Sequence, residues 1–391
     1  MASSLRSPSS LFSSSLQSAD EMPGRKLKVA IAGLGRMGAR HALHFYNLTP
    51  RAEVIAVTSP ELKELEWANR TLEGVRTYAD YDEMLREEKD LEAVVISSAT
   101  IVHAEQAIKA INLGLHVLCE KPLSTSPEVS QSVLSAYQNS IKRFPNQKVI
   151  CGFSRRFDAS YRDAYQKVRS GVVGKPAVIR SQTCDKLDPS GFFVEYAQFS
   201  GGIFVDCSIH DIDLALWFFG EDSVVKSVSA VGITAVSPEL RKYNDRDNAV
   251  GIIEFYGGKI CQLYCSRMMA AGQEDCTEIT GTKGKVSVNT QPTGTLVNIY
   301  EPSGIRREIP QDYYGRFREA FITEANEFTA CCLDNTEVPL RLEGAVAAVK
   351  IGGALQESLI TGKKIEFDER GKRIGAPAPR GGGQAPLSAR L

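Results

Sequence analysis

Three glycines that directly follow a short apolar run constrain this chain more than any other feature of its sequence. Residues 29–32 are typical of a buried parallel strand, and Gly33, Gly35 and Gly38 follow them without a gap. The first glycine permits a tight turn, the second lets the backbone approach a pyrophosphate, and the third lets a helix pack closely on the strand. The apolar residues after Gly38 recur at helical spacing, so a helix N-terminus would offer its unpaired N–H groups to the pyrophosphate. The sequence therefore predicts a dinucleotide site at this turn.

Strands and helices alternate from this turn to about residue 152. Further short apolar runs, typical of buried strands, lie at 54–57, 93–96, 117–119 and 149–151. Repeated strand–helix alternation indicates a parallel sheet that helices cover on both faces. We therefore predict an α/β protein whose first domain, residues 25–152, is a dinucleotide-binding Rossmann domain with a parallel sheet.

The pattern changes after residue 152, where longer runs of alternating polar and apolar residues begin. Such runs predict strands, and they lie at 177–184, 224–236, 249–256, 259–267, 276–280, 285–288 and 296–300. Two long helices are predicted at 314–333 and 342–359. The second domain, residues 153–370, is therefore predicted to be an α+β domain for substrate binding and oligomerisation, with a large, open, mostly antiparallel sheet.

Composition excludes several classes of partner. The 391 residues carry a formal net charge of −1 and no basic cluster, so nucleic acid is not an expected partner. No apolar run approaches the roughly 20 residues that span a bilayer, so no membrane association is expected either. The nine cysteines lack paired C-x-x-C spacing, and we interpret them as reduced thiols of a cytoplasmic protein.

Both ends of the chain are predicted to be disordered tails. Residues 1–24 are rich in serine, a composition that a transit peptide shares. Residues 371–391 are rich in glycine and proline. They end in Ala389-Arg390-Leu391, a conservative variant of the S-K-L peroxisomal signal, so a peroxisomal location is the alternative to a cytoplasmic one.

A polar stripe marks residues 201–217, which are apolar almost throughout and are predicted to form one buried helix. Asp206, His210 and Asp213 lie on it at positions i, i+4 and i+7, and hence on one face. A buried charged stripe is costly unless it is paired or faces a wet pocket. We predict that His210 is a general base, oriented by the carboxylates and titrating near the working pH. The alternative is a core histidine that its aspartates hydrogen-bond.

Lys121 stands at the C-terminal end of a predicted parallel strand, the edge where open α/β sheets bind ligands. Pro122 stops the chain from continuing as a helix. An ammonium group at this place can polarise a substrate oxygen and lower a neighbouring pKa through its charge. The alternative is a surface lysine that forms a salt bridge with Glu120.

These motifs together resemble one family of enzymes. The combination is similar to the Gfo/Idh/MocA oxidoreductase family and, within it, to myo-inositol 2-dehydrogenases, over about residues 27–367. The motifs that carry the resemblance are the glycine turn 33–38, Glu120-Lys121-Pro122, the run 152–158, and Gly201-Gly202 with Asp206, His210 and Asp213. The resemblance implies a Rossmann domain followed by a domain with a large open sheet, and homodimers or homotetramers that form through that sheet.

The resemblance also implies a reaction. In such enzymes the lysine of Glu-Lys-Pro and the aspartate and histidine of Asp-x-x-x-His are catalytic, which implies Lys121, Asp206 and His210 here. A hydride would pass between the carbinol carbon of a polyol or sugar and a nicotinamide. His210 would take the hydroxyl proton, Lys121 would stabilise the developing alkoxide, and Asp206 would orient and charge the pair. Because lysine and imidazolium supply the electrophilic charge, no metal is expected.

Further residues are expected to bind the cofactor or the substrate. Those expected to bind the cofactor are Gly33, Gly35, Arg36, Met37, Gly38, Thr58, Ser59, Ser97, Ser98, His103, Glu120 and Lys121. Those expected to bind the substrate are Arg156, Asp158, Asp185 and Asp213.

The choice between NAD and NADP depends on the end of the second strand. Thr58-Ser59 stands there in place of the acidic residue that binds the ribose hydroxyls and repels a 2′-phosphate. Two hydroxyls can donate to a phosphate, and Lys63 and Arg36 are near in sequence. We therefore predict a preference for NADP(H) over NAD(H), although Glu61 and Glu64 favour the opposite choice.

Two alternatives to polyol oxidation remain open from the sequence. The same residues working in reverse would reduce a ketone, or an imine in secondary metabolism. A non-catalytic regulator that senses a sugar or a dinucleotide could use the same fold, because fold alone does not decide function.

Overall fold

The structure, a computed structural model, describes residues 24–375. The expectations for residues 1–23 and 376–391, including the transit peptide and the C-terminal tripeptide, lie outside the described residues. Within residues 24–375, no helix combines the length and apolar character needed to cross a bilayer. The C-terminal tail was predicted to begin at residue 371, but residues 371 and 373 are still bound to the folded domain. Lys350 Nζ donates to Gly371 O at 2.5 Å, and Arg373 forms an ion pair with Glu357.

Six parallel strands form the sheet of the first domain, which confirms the predicted parallel sheet and adds one strand, Arg76–Tyr78, to the five predicted. They are β1 Leu27–Ala32, β2 Ala52–Thr58, β3 Arg76–Tyr78, β4 Ala93–Ile96, β5 His116–Glu120 and β6 Val149–Gly152. Their order across the sheet is β3-β2-β1-β4-β5-β6. The covering helices are α1 Arg36–Asn47, α2 Leu62–Thr71, α3 Tyr81–Glu87, α4 Thr100–Asn112 and α5 Pro127–Ser140. The strand order reverses between β1 and β4, and ligands bind at such a switch point.

The second sheet contains seven strands and is mostly antiparallel, which confirms the predicted fold class. Its order is β12-β11-β7-β10-β9-β8-β15, and only the pair of β7 and β10 is parallel. A separate hairpin, β13 and β14, stands apart from it. The strands are β7 Pro176–Lys186, β8 Val225–Ile233, β9 Asn248–Phe255, β10 Lys259–Met269, β11 Glu274–Gly281, β12 Lys285–Val288, β13 Asn298–Glu301, β14 Gly304–Arg307 and β15 Ile365–Glu366.

Six α-helices accompany this part of the described chain. They are α6 Ala159–Arg169, α7 Phe192–Ser200, α8 Ile203–Asp206, α9 Ile209–Phe219, α10 Tyr313–Asp334 and α11 Leu342–Thr361. The prediction of a single helix over 201–217 is wrong. The N–H groups of Cys207 and Ser208 both donate to Ile203 O and close α8, and Ser208 O then accepts the first bonds of α9. Asp206 and His210 therefore lie on two different helices.

The last two long helices join the domains. α10 packs against α1 of the Rossmann domain, and α11 packs against both α5 and α9. Arg51 donates to both carboxylate oxygens of Asp334, at 2.7 and 2.6 Å, and so ties the end of α10 to the start of β2. The buried apolar side chains of both domains form one continuous cluster. The two domains consequently share a core, and the space between them has walls from both.

Candidate active site

A cavity of about 540 Å³ lies between the C-terminal ends of the Rossmann strands and the second domain. Among the predicted site residues, those that line it are Arg36, Met37, Glu120, Lys121, Asp185, Asp206 and His210. All three predicted catalytic residues are thus in one cavity, although Lys121 and Asp206 are 85 residues apart in sequence. The cavity lies at the edge of the sheet where the topology predicts a ligand.

The glycine turn has the shape that a dinucleotide requires. Gly33 has a φ of +84°, and a Cβ on it would lie 2.4 Å from Ser98 Cα. A Cβ on Gly38 would lie 1.9 Å from Gly33 O, so only glycine lets α1 pack this closely on the turn. A Cβ on Gly35 would find nothing nearer than Glu64 Oε1, at 3.7 Å. The turn is therefore open above Gly35, where a pyrophosphate would approach the N-terminus of α1.

A carboxylate from α2 lies beside the end of β2. Thr58 is buried, and its carbonyl accepts from Gly33 N at 2.8 Å, so Thr58 holds the glycine turn through its backbone. Ser59 is buried as well, and its hydroxyl donates to Glu64 Oε2 at 2.6 Å. The other oxygen of Glu64 faces Gly35. The side chain beside the turn is therefore an acid from α2, held in place by Ser59.

The loop after β4 is built from internal hydrogen bonds. Ser98 Oγ donates to Gln106 Oε1 at 2.6 Å, and Ser97 is buried beside the glycine turn. His103, predicted to bind the cofactor, is buried and does not line the cavity. Its ring nitrogens lie 2.9 Å from Pro122 O and 3.0 Å from Ser98 O. The structure corrects its role, because the ring joins the loops that follow β4 and β5.

Lys121 contacts Asp206 in the wall of the cavity. Lys121 Nζ donates to Asp206 O at 2.9 Å and lies 3.6 Å from Asp206 Oδ1. The alternative of a salt bridge to Glu120 is not seen, since Glu120 Oε1 pairs with His41 Nε2 at 2.7 Å. Burial opposes the charge of Lys121, but the acidic groups around it, with Asp206 first among them, together raise the pKa of the ammonium group. Lys121 is therefore charged at neutral pH.

His210 is held by aromatic rings rather than by carboxylates. Its imidazole stacks on Tyr313 with ring centroids 4.9 Å apart, and Phe153 meets it edge-on at 6.1 Å. His210 Nδ1 is buried and has no hydrogen-bond partner within residues 24–375. Burial, followed by the charges of Lys121 and Arg155, lowers the pKa of His210 well below its usual value. The prediction that His210 titrates near the working pH is therefore wrong, and the ring is neutral there.

Asp206 is paired with an arginine that the sequence analysis missed. Arg267 Nη2 donates to Asp206 Oδ2 at 2.8 Å, and the arginine side chain is only 3 % exposed. Asp206 therefore lies between two cations and does not orient His210. Arg267 is 61 residues from Asp206 and ends a run of alternating strand residues. Nothing in that run distinguishes it from a surface arginine.

Three of the predicted substrate residues lie outside the cavity in structural ion pairs. Arg156 donates to both oxygens of Asp213, at 2.8 and 2.7 Å, and both side chains are buried. Asp158 caps α6 by accepting from Ser160 N at 3.0 Å, and it pairs with Arg316 at 2.9 Å. The predicted contacts of Arg156, Asp158 and Asp213 with substrate are therefore corrected.

Within residues 24–375, no group of three or more His, Cys, Asp and Glu side chains is placed to hold a metal ion.

Asp185 is the predicted substrate residue that does face the cavity. Gln273 Nε2 donates to Asp185 Oδ1 at 2.9 Å, and Gln273 lines the cavity as well. Burial raises the pKa of Asp185 above its ordinary value. Beside them Phe192 and Phe193, both in α7, form an apolar wall. The cavity thus combines hydrogen-bonding groups with an aromatic side.

Comparison with known proteins gives matches in both domains. Residues 27–145 match the model of the oxidoreductase family with an NAD-binding Rossmann fold. Residues 161–287 match the GFO/IDH/MocA C-terminal domain.

Similar proteins span nearly the same length as this chain. The scyllo-inositol 2-dehydrogenase (NAD(+)) of Bacillus subtilis is 32% identical over 350 residues, which are 88% of this chain and 97% of that protein. The myo-inositol 2-dehydrogenase of Thermotoga maritima is 28% identical, over 88% of this chain and 99% of the relative. The crystal structure of scyllo-inositol dehydrogenase from Lactobacillus casei with NAD(H) and scyllo-inositol is 34% identical, with a TM-score of 0.82 over 88% of this chain and 99% of that one.

Proposed function

Because the chain belongs to the GFO/IDH/MocA family of oxidoreductases, we propose that it is an NAD-dependent dehydrogenase of an inositol, oxidising one ring hydroxyl to a ketone. The observation that carries this proposal is the meeting of Lys121, Asp206 and His210 in one cavity beside the glycine turn. In such a cavity the charged lysine can hydrogen-bond a substrate hydroxyl, and the neutral histidine can take its proton.

The two side chains have complementary tasks in oxidation. The neutral His210 accepts the proton of the substrate hydroxyl, and its Nε2 atom is the one available, because Nδ1 is buried. The charged Lys121 donates to the same substrate oxygen and stabilises it as negative charge develops. The nicotinamide, when bound, accepts the hydride from the carbinol carbon. In the reverse direction His210 returns the proton and Lys121 polarises the ketone.

The rest of the cavity supports a polyol as the substrate. Asp185 and Gln273 present an acceptor and an amide that hydrogen-bond each other at 2.9 Å and line the same wall. Lys186 lines the cavity too, and its Nζ donates to Gln311 Oε1 at 2.6 Å. Such a set suits a ligand with several hydroxyl groups, each of which donates and accepts. The relatives named for inositol oxidation favour an inositol among such ligands.

The complete set of Lys121, Asp206 and His210 favours an enzyme over a non-catalytic sensor. A sensor needs only to bind, whereas these residues place opposite charges and a neutral base around one point. Nothing in the cavity favours an imine or an open-chain ketone over a ring alcohol.

The cofactor we propose is NAD(H), which departs from the preference for NADP(H) expected from Thr58-Ser59. Glu64 supports this choice, because its carboxylate lies next to Gly35 and is fixed by Ser59. A carboxylate there can accept from the ribose hydroxyls and repel a 2′-phosphate. Arg36 does not counter it, since its guanidinium packs over Phe192 at 5.4 Å.

Replacing Glu64 tests this choice. We expect the wild type to prefer NAD(H) over NADP(H) in kcat/KM, and Glu64→Gln to reduce that preference by about 10- to 100-fold, the effect of losing a charged hydrogen bond. Glu61→Gln is the matched control, because its side chain is exposed in the same turn. Kinetics with both cofactors at fixed ionic strength provide the measurement. An unchanged preference in Glu64→Gln would exclude this role for Glu64.

We also propose that the chain forms a homo-oligomer through the outer face of its large sheet. Val178 pairs directly with Ile260 in the register of β7 and β10. The register across β9 places Val231 of β8 on the same face of the sheet. Ile233, two residues further along β8, also lies on this face. All four side chains are at least 39% exposed. Such an exposed apolar face favours association with a second copy, and the mass in solution tests it.

The proposed activity is tested by supplying NAD+ and a panel of inositol isomers to the purified chain. We expect absorbance of reduced cofactor with at least one inositol. An acyclic hexitol is the control for unspecific alcohol oxidation. Cofactor binding without reduction by any inositol would instead favour the sensor.

A further inference from the structure

Arg267 connects two carboxylates that belong to different elements. Its Nη2 donates to Asp206 Oδ2 at 2.8 Å, and its Nη1 lies 3.4 Å from Asp245 Oδ2. Its guanidinium also lies 5.2 Å from the ring centre of Phe193, in the aromatic wall of the cavity. Arg267 does not itself line the cavity. It therefore acts on the site through the groups that it holds.

Through these two carboxylates Arg267 holds both ends of α8. Asp245 Oδ1 accepts from Ile203 N at 2.8 Å, at the first residue of the helix. Asp206 is the last residue of the same helix. A helix of four residues has little stability of its own, because its few hydrogen bonds do not offset the cost of nucleation. The position of Asp206 therefore depends on the pairing of Arg267 with Asp206 and Asp245, which we call the clamp.

The clamp also decides how strongly Asp206 binds Lys121. Asp206 Oδ2 accepts a hydrogen bond of 2.8 Å from Arg267 Nη2, whereas Asp206 Oδ1 lies 3.6 Å from Lys121 Nζ. Lys121 uses one N–H on the carbonyl of Asp206, at 2.9 Å. An ammonium group has three N–H donors, so others remain for a substrate oxygen.

We propose that Arg267 is a positioning residue of the active site, which holds the Asp206 carboxylate away from Lys121 and so leaves the ammonium group free to bind the reacting oxygen. This inference rests on the proposed function. Without Arg267, the nearest cation for Asp206 is Lys121, and the two would close into a full ion pair.

The bonding of Arg267 argues against a purely structural role. Its Nε is buried and has no partner among the described residues. A buried ion with an unsatisfied N–H is costly, and buried ion clusters often add nothing to folding compared with apolar residues. We therefore explain this buried arginine, with its two carboxylates and its aromatic neighbour, by a role in the active site rather than by a role in folding.

The clamp has a consequence for His210. Burial between the rings of Tyr313 and Phe153 lowers the pKa of His210 most, and the charges of Lys121 and Arg155 lower it further. If Asp206 pairs fully with Lys121, the field of the lysine is partly cancelled. The pKa of His210 then rises by the part that the charge of Lys121 contributes, while burial continues to lower it.

The experiment compares Arg267→Met with the conservative Arg267→Lys. We expect Arg267→Met to lower kcat by about 10-fold, which corresponds to ~1.4 kcal/mol of transition-state stabilisation, with little change in KM. The acidic limb of its kcat/KM profile should lie at a higher pH than that of the wild type. Arg267→Lys should recover both properties in large part. Arg162→Met, which removes an arginine paired with Glu327 outside the cavity, is the matched control.

Histidine NMR titration gives a readout that does not depend on turnover. His210 is one of five histidines, and its signal is assigned by its loss in His210→Ala. A higher His210 pKa in Arg267→Met than in the wild type supports the proposal. An unchanged His210 pKa, or an activity loss that follows only the loss of folded protein, overturns it. If the wild type oxidises no inositol, the proposed function fails, while the titration still decides the role of Arg267.

Discussion

Lys121→Met is expected to lower kcat/KM for inositol oxidation by about 10²-fold or more, the usual scale for removing an acid–base or electrostatic group. Methionine fills the same space but offers no N–H to the substrate oxygen. The protein should remain folded, because Asp206 keeps its ion pair with Arg267 at 2.8 Å. Steady-state kinetics and the melting temperature, measured on the same preparation, provide the test.

The effect of Lys121→Met should not add to that of His210→Ala. Each residue acts on the same hydroxyl, so the double variant should be only slightly slower than the worse single variant. NAD+ affinity should change little in all three variants, since neither side chain belongs to the glycine turn. Near-normal turnover in either single variant would contradict the proposed roles.

Arg156→Met is expected to reduce the stability of the protein by about 3–5 kcal/mol, the cost of leaving a buried carboxylate without its partner. Asp213 loses two hydrogen bonds of 2.8 and 2.7 Å and has a buried side chain. Burial already raises the pKa of Asp213, while Arg156 opposes that shift. Without Arg156 the pKa of Asp213 rises further, so the folded variant binds this proton more tightly than the folded wild type does. The destabilisation should therefore be larger at pH 8 than at pH 5.

Denaturant unfolding at both pH values measures this effect. Lys109→Met is the control, because it breaks an exposed pair with Asp82, where about 0–1 kcal/mol is expected. Turnover per folded molecule and the KM for inositol should remain close to wild type in Arg156→Met. A large rise in KM without loss of stability would restore Arg156 to the substrate site, where the sequence analysis placed it.

Features of the fold that depend on neighbouring residues are predictable from local sequence patterns. The apolar runs and Gly33, Gly35 and Gly38 predicted the Rossmann sheet, because buried parallel strands and tight turns leave a local pattern. Alternation predicted most strands of the second sheet. β3 was missed because three partly exposed residues leave no apolar run.

The errors in the site arise from partners far apart in the chain. Asp213 lies in the same polar stripe as His210, but its partner Arg156 is 57 residues away and turns it into a buried ion pair. Arg267 was not assigned for the same reason, since its importance depends on its contact with Asp206, 61 residues away. A single sequence shows which side chains can carry charge, but not which charges meet.

The most direct test of the account is the transfer of deuterium from ring-deuterated scyllo-inositol to NAD+, followed by mass spectrometry of the reduced cofactor. All ring carbons of this isomer carry equivalent hydrogens, so any oxidised position delivers the label. The account predicts reduced cofactor that carries deuterium with the wild type, and almost none with Lys121→Met or His210→Ala. Reduced cofactor without the label, or bound NAD+ that no inositol isomer reduces, would contradict it.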